Sequence, residues 1–172
     1  MNIFKNTDSL SLTATLDKGT IDLVLTDPPY IISHETGFKS VKNGVQRFAV
    51  ETEFGDWDKP ENFSLGALED SIKEYYRVLR AGGTAIIFCD IWKITKIKEI
   101  LERNKFKQIR LIDWIKTNPV PLNSSRNYLT NSREVALSAV KVSKPTFNSK
   151  YDNGLYRYPI CHDKGRFHST QK

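Results

Sequence analysis

Ile21-Asp22-Leu23-Val24-Leu25-Thr26 runs directly into Asp27-Pro28-Pro29-Tyr30, and this stretch decides the fold. Its first six residues are nearly continuously apolar or β-branched, the pattern of a parallel strand buried on both faces. The two prolines end it, since each fixes φ and neither has an N–H to donate to a sheet. Working outward, Thr84 to Cys89 (TAIIFC) repeats the pattern after Gly82-Gly83. Between the two, Asn62 to Leu79 carries Leu65, Leu68, Ile72, Tyr75, Tyr76 and Leu79 close to a helical period, and the glycines stand just beyond, where a helix C-cap belongs. A second helix is expected from Trp92 to Arg103, with Ile94, Ile97, Ile100 and Leu101 on one face. Strands are expected at Gln108 to Lys116 and Glu134 to Val142, joined by a Pro/Asn/Ser-rich loop from Asn118 to Asn131. Strand, helix, strand in this order predicts an open α/β sheet.

The rest of the chain bounds the function. With 172 residues, 39% hydrophobic and 27% charged, the composition is that of one globular domain. No apolar run approaches the roughly 20 residues of a membrane span, and Met1 to Leu10 has no secretory h-region. A cytoplasmic protein without membrane contact is expected. Cys89 and Cys161 stand far apart without a CxxC, so free thiols are expected. His34, His162 and His168 are scattered, so no metal is expected. Ser169 and Thr170 beside His168 lack a nucleophile elbow, which argues against hydrolysis. The net charge of +6 favours a polyanionic partner.

Two stretches lack periodicity. Ile31 to Lys59 is polar and glycine-dotted, a mobile or functional loop; Ser143 to Lys172 is basic and aromatic. The expected organisation is therefore an α/β region over 1–142 with a mobile loop at 31–59, then a basic segment over 143–172, with no second domain. Trp57 either anchors the long loop or offers a stacking surface, and Trp114 is expected in the core.

The tetrapeptide carries the chemistry. Asp27 lies at the carboxyl end of a parallel strand, where open α/β sheets place ligands. A carboxylate and a proline carbonyl accept hydrogen bonds from one amino group, while Tyr30 stacks on the ring that bears it. That set suits the exocyclic amine of a nucleobase. Its lone pair is delocalised into the ring until acceptors hold both N–H bonds and make the nitrogen more pyramidal, so that it can attack a sulfonium methyl. An amine inside a duplex is reached by flipping the base out. The alternative reading is a strand-ending turn, for which Asp and Pro are ordinary residues.

Five stretches in order resemble a known family: DLVLTDPPY at Asp22 to Tyr30, FGDWD at Phe54 to Asp58, RAGGTAIIF at Arg80 to Phe88, DWIKTNPVP at Asp113 to Pro121 with Arg126 and Glu134 following, and HSTQK at His168 to Lys172. They are similar to the permuted (beta-group) amino-methyltransferases of DNA that use S-adenosylmethionine, enzymes of restriction-modification systems. The Asp form of the tetrapeptide resembles the N6-adenine enzymes. The resemblance implies a Rossmann-like methyltransferase sheet of α/β class. It implies that Asp27 and Pro28, on a loop stiffened by Pro29, hold the amine of a flipped adenine while Tyr30 stacks on it. Asp8 matches a position that contacts the cofactor's adenine, although an Asp before Ser-Leu is as readily a helix N-cap. His168, Ser169, Thr170, Gln171 and Lys172 match the element that packs on the cofactor's methionine part. Asn118, Arg126, Lys144, Lys150 and Arg157 are expected to face double-stranded DNA, the asparagine equally natural as a turn residue, the basic segment equally natural as a solvated loop.

The sequence also departs from that family. Its nine glycines never form GxG, and no strand leads into a glycine loop followed by an acidic residue. The expectation is an incomplete sheet, with the central cofactor-binding strands absent between a first short strand near Asn2 to Lys5 and the strand at Asp22 to Thr26. One long side of that strand then lacks a partner, and the chain alone is expected to be weakly folded or self-associating and to methylate poorly or not at all. A truncated or decayed chain, or one completed by a second copy or a complementing chain, all accord with this. The competing readings of function are an inactive DNA-binding remnant and a methyltransferase for an RNA or protein amine.

Overall fold

The computed structural model describes residues 4–30, 38–42, 45–50, 64–119, 129–142 and 144–161. In chain order the elements are α1 (Ser9–Ala14), β1 (Ile21–Thr26), β2 (Phe38–Lys42), β3 (Val45–Val50), α2 (Leu65–Val78), β4 (Leu79–Cys89), a 3-10 turn (Ile91–Lys93), α3 (Ile94–Arg103), β5 (Phe106–Lys116), β6 (Arg133–Lys141) and β7 (Leu155–Tyr158). They fall into two compact units, Met1–Pro28 with Glu69–Lys172, and Pro29–Leu68.

The first unit holds a five-stranded sheet in the order β1-β4-β6-β5-β7. β1 runs parallel to β4 and β5 parallel to β7, while β6 runs antiparallel to both of its neighbours. The carboxyl ends of β1, β4, β5 and β7 therefore leave the sheet at one edge, where β6 begins. Apolar residues at helical spacing bury Ile72, Tyr75 and Val78 of α2 and Ile97, Ile100 and Leu101 of α3, together with Phe106, Ile87, Val135 and Leu137 of the sheet. Each of the large aliphatic side chains contributes roughly 1.5–3 kcal/mol on burial. Tyr76 meets Phe106 edge-on with ring centroids 5.1 Å apart, and the Lys141 ammonium lies 4.9 Å above the Tyr76 ring. The same ammonium donates to the carbonyls of Arg77 and Leu79 at 3.3 and 2.6 Å, satisfying acceptors that the end of α2 leaves open.

Gly82 and Gly83 do not cap α2 as the sequence predicted. They lie inside β4, in a bulge: Ile21 pairs with Leu79, but Leu23 pairs with Thr84. Gly82 takes φ +78, which puts its N–H on the Val142 carbonyl at 2.8 Å and brings its α-carbon against the Lys144 backbone. A β-carbon there would stand 2.5 Å from the Lys144 carbonyl oxygen. Gly82→Ala is accordingly expected to destabilise by about 1–3 kcal/mol, from the left-handed backbone and the clash together. A thermal melt followed by circular dichroism checks this, and an unchanged midpoint would refute it.

Other expectations are corrected by the first unit. β1 is an edge strand among the described residues, paired with β4 alone, in agreement with the expected unpartnered long side, while Leu23 and Leu25, 51% and 63% exposed, correct the expectation of burial on both faces. Such an open apolar edge is a site for association. Trp114 is half-buried rather than core, because β5 faces the short β7 there and its indole N–H donates to the Tyr158 carbonyl at 3.1 Å. The basic segment, expected to lack regular structure, contains β7, whose four residues are all exposed and so show no alternation of burial. Phe4 and Lys5 form no strand, and the residues before them lie outside those described.

In the second unit, β2 and β3 pair as an antiparallel hairpin from Phe38 opposite Val50 to Lys42 opposite Val45. The sequence predicted an aperiodic loop over this span. The Asn43-Gly44 dipeptide between two β-rich runs was the available signal for a hairpin. The hydroxyl of Ser64 accepts from the Ala67 N–H at 3.2 Å, which sets the start of α2.

Candidate active site

Asp27 and Pro28 end the first unit just past β1, and Thr26 pairs with Ile87 of β4. Asp27 therefore leaves the sheet beside the last residues of β4. Its side chain is exposed, and among the described residues it accepts no hydrogen bond. Other aspartates at element ends behave differently. Asp8 accepts from the Ser11 N–H at 2.8 Å, Asp90 from the Trp92 N–H at 3.2 Å, and Asp152 from the Gly154 N–H at 2.8 Å. Each of those carboxylates holds its own turn. Asp27 does not: Pro28 and Pro29 remove the first two amides that could serve it, and the Tyr30 N–H, at the spacing Ser11 has from Asp8, makes no bond to it. The strand-ending turn is thus made by the prolines, and the carboxylate is left facing solvent with its acceptors available. Pro29 and Tyr30, in the second unit, are half-buried.

The neighbouring strand ends form the rim. Cys89 at the end of β4 is buried, and its thiol is pushed up to about 12, first by burial and then by the nearby Asp90 and Asp27 charges. It stays protonated and is no nucleophile at neutral pH. Lys116, at the end of β5, pairs with Glu134, at the start of β6, at 2.5 Å. Their side chains are only 12% and 10% exposed. The sequence reading gave neither residue a role, since nothing in either local sequence shows that Trp114 and Glu134 are opposite each other across two antiparallel strands.

Asn118 follows β5 on the same rim. Its amide accepts from the Ile160 N–H at 2.6 Å and donates to the Ile160 carbonyl at 3.3 Å, so the side chain stands in for a strand backbone and extends the pairing of β5 with β7. Asn118→Ala removes both bonds and is expected to cost about 1–3 kcal/mol locally. Faster amide exchange at Ile160, with β1 and β4 unaffected, is the expected readout.

The other residues expected to face DNA are not all at this edge. Arg157 pairs with Ile115 and belongs to the rim strands, while Tyr158 beside it is 62% exposed. Lys144 and Lys150 are exposed. The Lys144 backbone packs on Gly82, near the amino end of β4, so it lies about seven strand residues, roughly 20 Å, from the Asp27 edge. Arg80 anchors this opposite end by pairing with Asp22 and donating to the Thr146 hydroxyl. Asp8 caps α1, and the Ser11 N–H holds its carboxyl below the usual carboxylate range. Arg126, His168, Ser169, Thr170, Gln171, Lys172 and the Phe54 to Asp58 stretch lie outside the described residues.

A family described as DNA methylase matches residues 21–169. The Type II methyltransferase M2.LlaDCHI of Lactococcus lactis subsp. cremoris is 32% identical over 162 residues, which are 92% of this chain and 55% of that protein. M.HinfI of Haemophilus influenzae is 30% identical over 197 residues, covering all of this chain and 54% of its own length. Among solved structures, the M1.HpyAVI-SAM complex superposes with a TM-score of 0.58 at 26% identity, over 94% of this chain and 63% of that one. The PvuII cytosine-N4-specific DNA methyltransferase superposes with a TM-score of 0.64 at 14% identity, over 93% and 58%, a likeness of fold. The chain spans about half the length of the curated relatives it matches.

Proposed function

The chain belongs to the DNA methylase family, and from that premise we propose that it transfers a methyl group from S-adenosylmethionine to the exocyclic amine of a flipped adenine in double-stranded DNA, as the modification enzyme of a restriction-modification pair. One observation carries the reading: Asp27 is exposed at the carboxyl end of a parallel strand, and its carboxylate accepts no hydrogen bond among the described residues.

In this reading an Asp27 carboxylate oxygen accepts one N–H of the adenine amine and the Pro28 carbonyl accepts the other. Held between two acceptors, the nitrogen keeps its lone pair out of the ring and directs it away from both of them. When bound, S-adenosylmethionine supplies an electrophilic methyl group. Asp27 stabilises the positive charge that develops on the nitrogen, and its exposure lets the leaving proton pass to water. Tyr30 supplies the ring for stacking. Asp8 suits a cofactor contact, because an exposed carboxylate that keeps its charge is the acceptor an adenine amino group needs. His168 to Lys172 would hold the methionine part. Arg157 and Lys150 would meet phosphates.

The test is tritium incorporation from labelled S-adenosylmethionine into DNA, RNA and protein acceptors, with digestion to nucleosides. Label recovered as N6-methyladenine from DNA supports the reading, and label confined to RNA or protein overturns it.

A further inference from the structure

The residues that follow β4 were assigned no function by their sequence, yet they leave the sheet at the Asp27 edge. β4 ends at Cys89, and Asp90 then opens the 3-10 turn by accepting from the Trp92 N–H. The turn is closed again by the Lys93 N–H on the Asp90 carbonyl at 2.9 Å. The acid in this turn is therefore engaged in fixing it. On that turn Trp92 is 88% exposed and Ile91 46% exposed. A tryptophan this exposed forgoes the burial that normally retains the residue, so its ring is available to a partner. Basic residues follow it: Lys93, then Lys96 and Lys98 on α3, of which Lys98 pairs with Glu102 and Lys96 is exposed. β1 and β4 are adjacent and parallel, about 4.8 Å apart, with Thr26 opposite Ile87. Asp27 and the turn of Trp92 thus emerge side by side, and both the Asp27 and Asp90 charges reach Cys89.

Resting on the reading that Asp27 holds an extruded base, we infer that Trp92 stacks on an unpaired nucleotide of the DNA at the site of extrusion, with Lys96 beside it countering backbone phosphate. Pulling one base from a duplex exposes the faces of its neighbours. An aromatic ring standing free at that edge, flanked by cations, replaces the lost stacking, and it does so without regard to sequence because every base has a π-face. On the turn itself the apolar surface is one ring and part of one isoleucine beside lysines, which suits the face of a base, whereas a protein partner would be served by the neighbouring β1 edge with its exposed Leu23 and Leu25.

Anisotropy titrations of the whole chain test this with a fluorescein-labelled duplex carrying a single unpaired adenine, the same duplex fully paired, and the single strand. Trp92→Ala is expected to weaken binding to the unpaired-adenine duplex and to the single strand by about tenfold. It is expected to change affinity for the paired duplex much less. Trp92→Phe, which keeps an aromatic face, retains most of the affinity. Lys96→Ala reduces the salt dependence of binding. The melting midpoint of Trp92→Ala matches the parent, because the ring is exposed. If the parent chain binds and Trp92→Ala binds the unpaired-adenine duplex equally well, the stacking role falls while the methyl-transfer reading stands. If the parent chain binds none of the DNAs, the methyl-transfer reading falls and this inference with it.

Discussion

Asp27→Ala is expected to lower methyl incorporation into DNA by about 10²–10³-fold, the usual loss when one preorganised hydrogen-bonding partner of a reacting group is removed. The Pro28 carbonyl alone then faces the amine, so one N–H goes unheld and the developing charge on nitrogen loses its anion. The side chain is exposed and accepts no hydrogen bond among the described residues, so its removal is expected to leave the melt and the circular dichroism spectrum unchanged. That separates a chemical loss from a folding loss. Asp27→Asn retains one acceptor without the charge and is expected to fall between the two. Equal incorporation by Asp27→Ala and the parent chain would remove Asp27 from the reaction.

Lys116→Met carries the largest expected cost to stability. The Lys116 and Glu134 side chains are almost wholly out of water at 12% and 10% exposure. In such a pair each charge offsets the desolvation of the other, and removing one partner typically costs about 3–5 kcal/mol. At about 2–4 °C of melting temperature per kcal/mol for a chain of this size, a fall of roughly 10 °C is expected. The penalty arises because a nearly buried carboxylate loses the cation that offsets its desolvation, so Lys116→Met combined with Glu134→Gln is expected to recover much of it. An undiminished melting temperature in the single variant would show that the ion pair contributes nothing to stability. The functional consequence follows from position: the pair ties the end of β5 to the start of β6, the rim from which Asn118 extends.

Much of the fold was legible because it rests on short-range patterns. The bounds of β1 were read without error, since an apolar β-branched run stopped by two prolines has few other conformations. The bodies of α2 and α3 followed from helical spacing, and β5 and β6 were placed to within two residues at each end. The position of Asp27 at a strand's carboxyl end was legible for the same reason, because the two prolines that follow it stop the strand there. What was missed depends on distant partners. Gly82 was read as a helix cap, but its positive φ serves a bond to Val142. β7 shows no alternation because all four of its residues are exposed, and it exists as a strand through pairing with β5. Asn118 is by sequence a turn residue or a candidate DNA contact, and only the structure shows that its amide bonds Ile160.

The sequence by itself determined where the chain must be extended, where it must turn, and that the two positions after the Asp27 carboxylate offer it no N–H. These are consequences of φ restriction and missing N–H groups, which act within a few residues. Only the tertiary structure decided that the ends of β1, β4, β5 and β7 share an edge. It alone brought the buried Lys116–Glu134 pair and the exposed Trp92 to that edge, and put Lys144 at the opposite end. Strand order and register are set by which apolar faces bury one another across the whole sheet, and no local window of sequence contains that comparison.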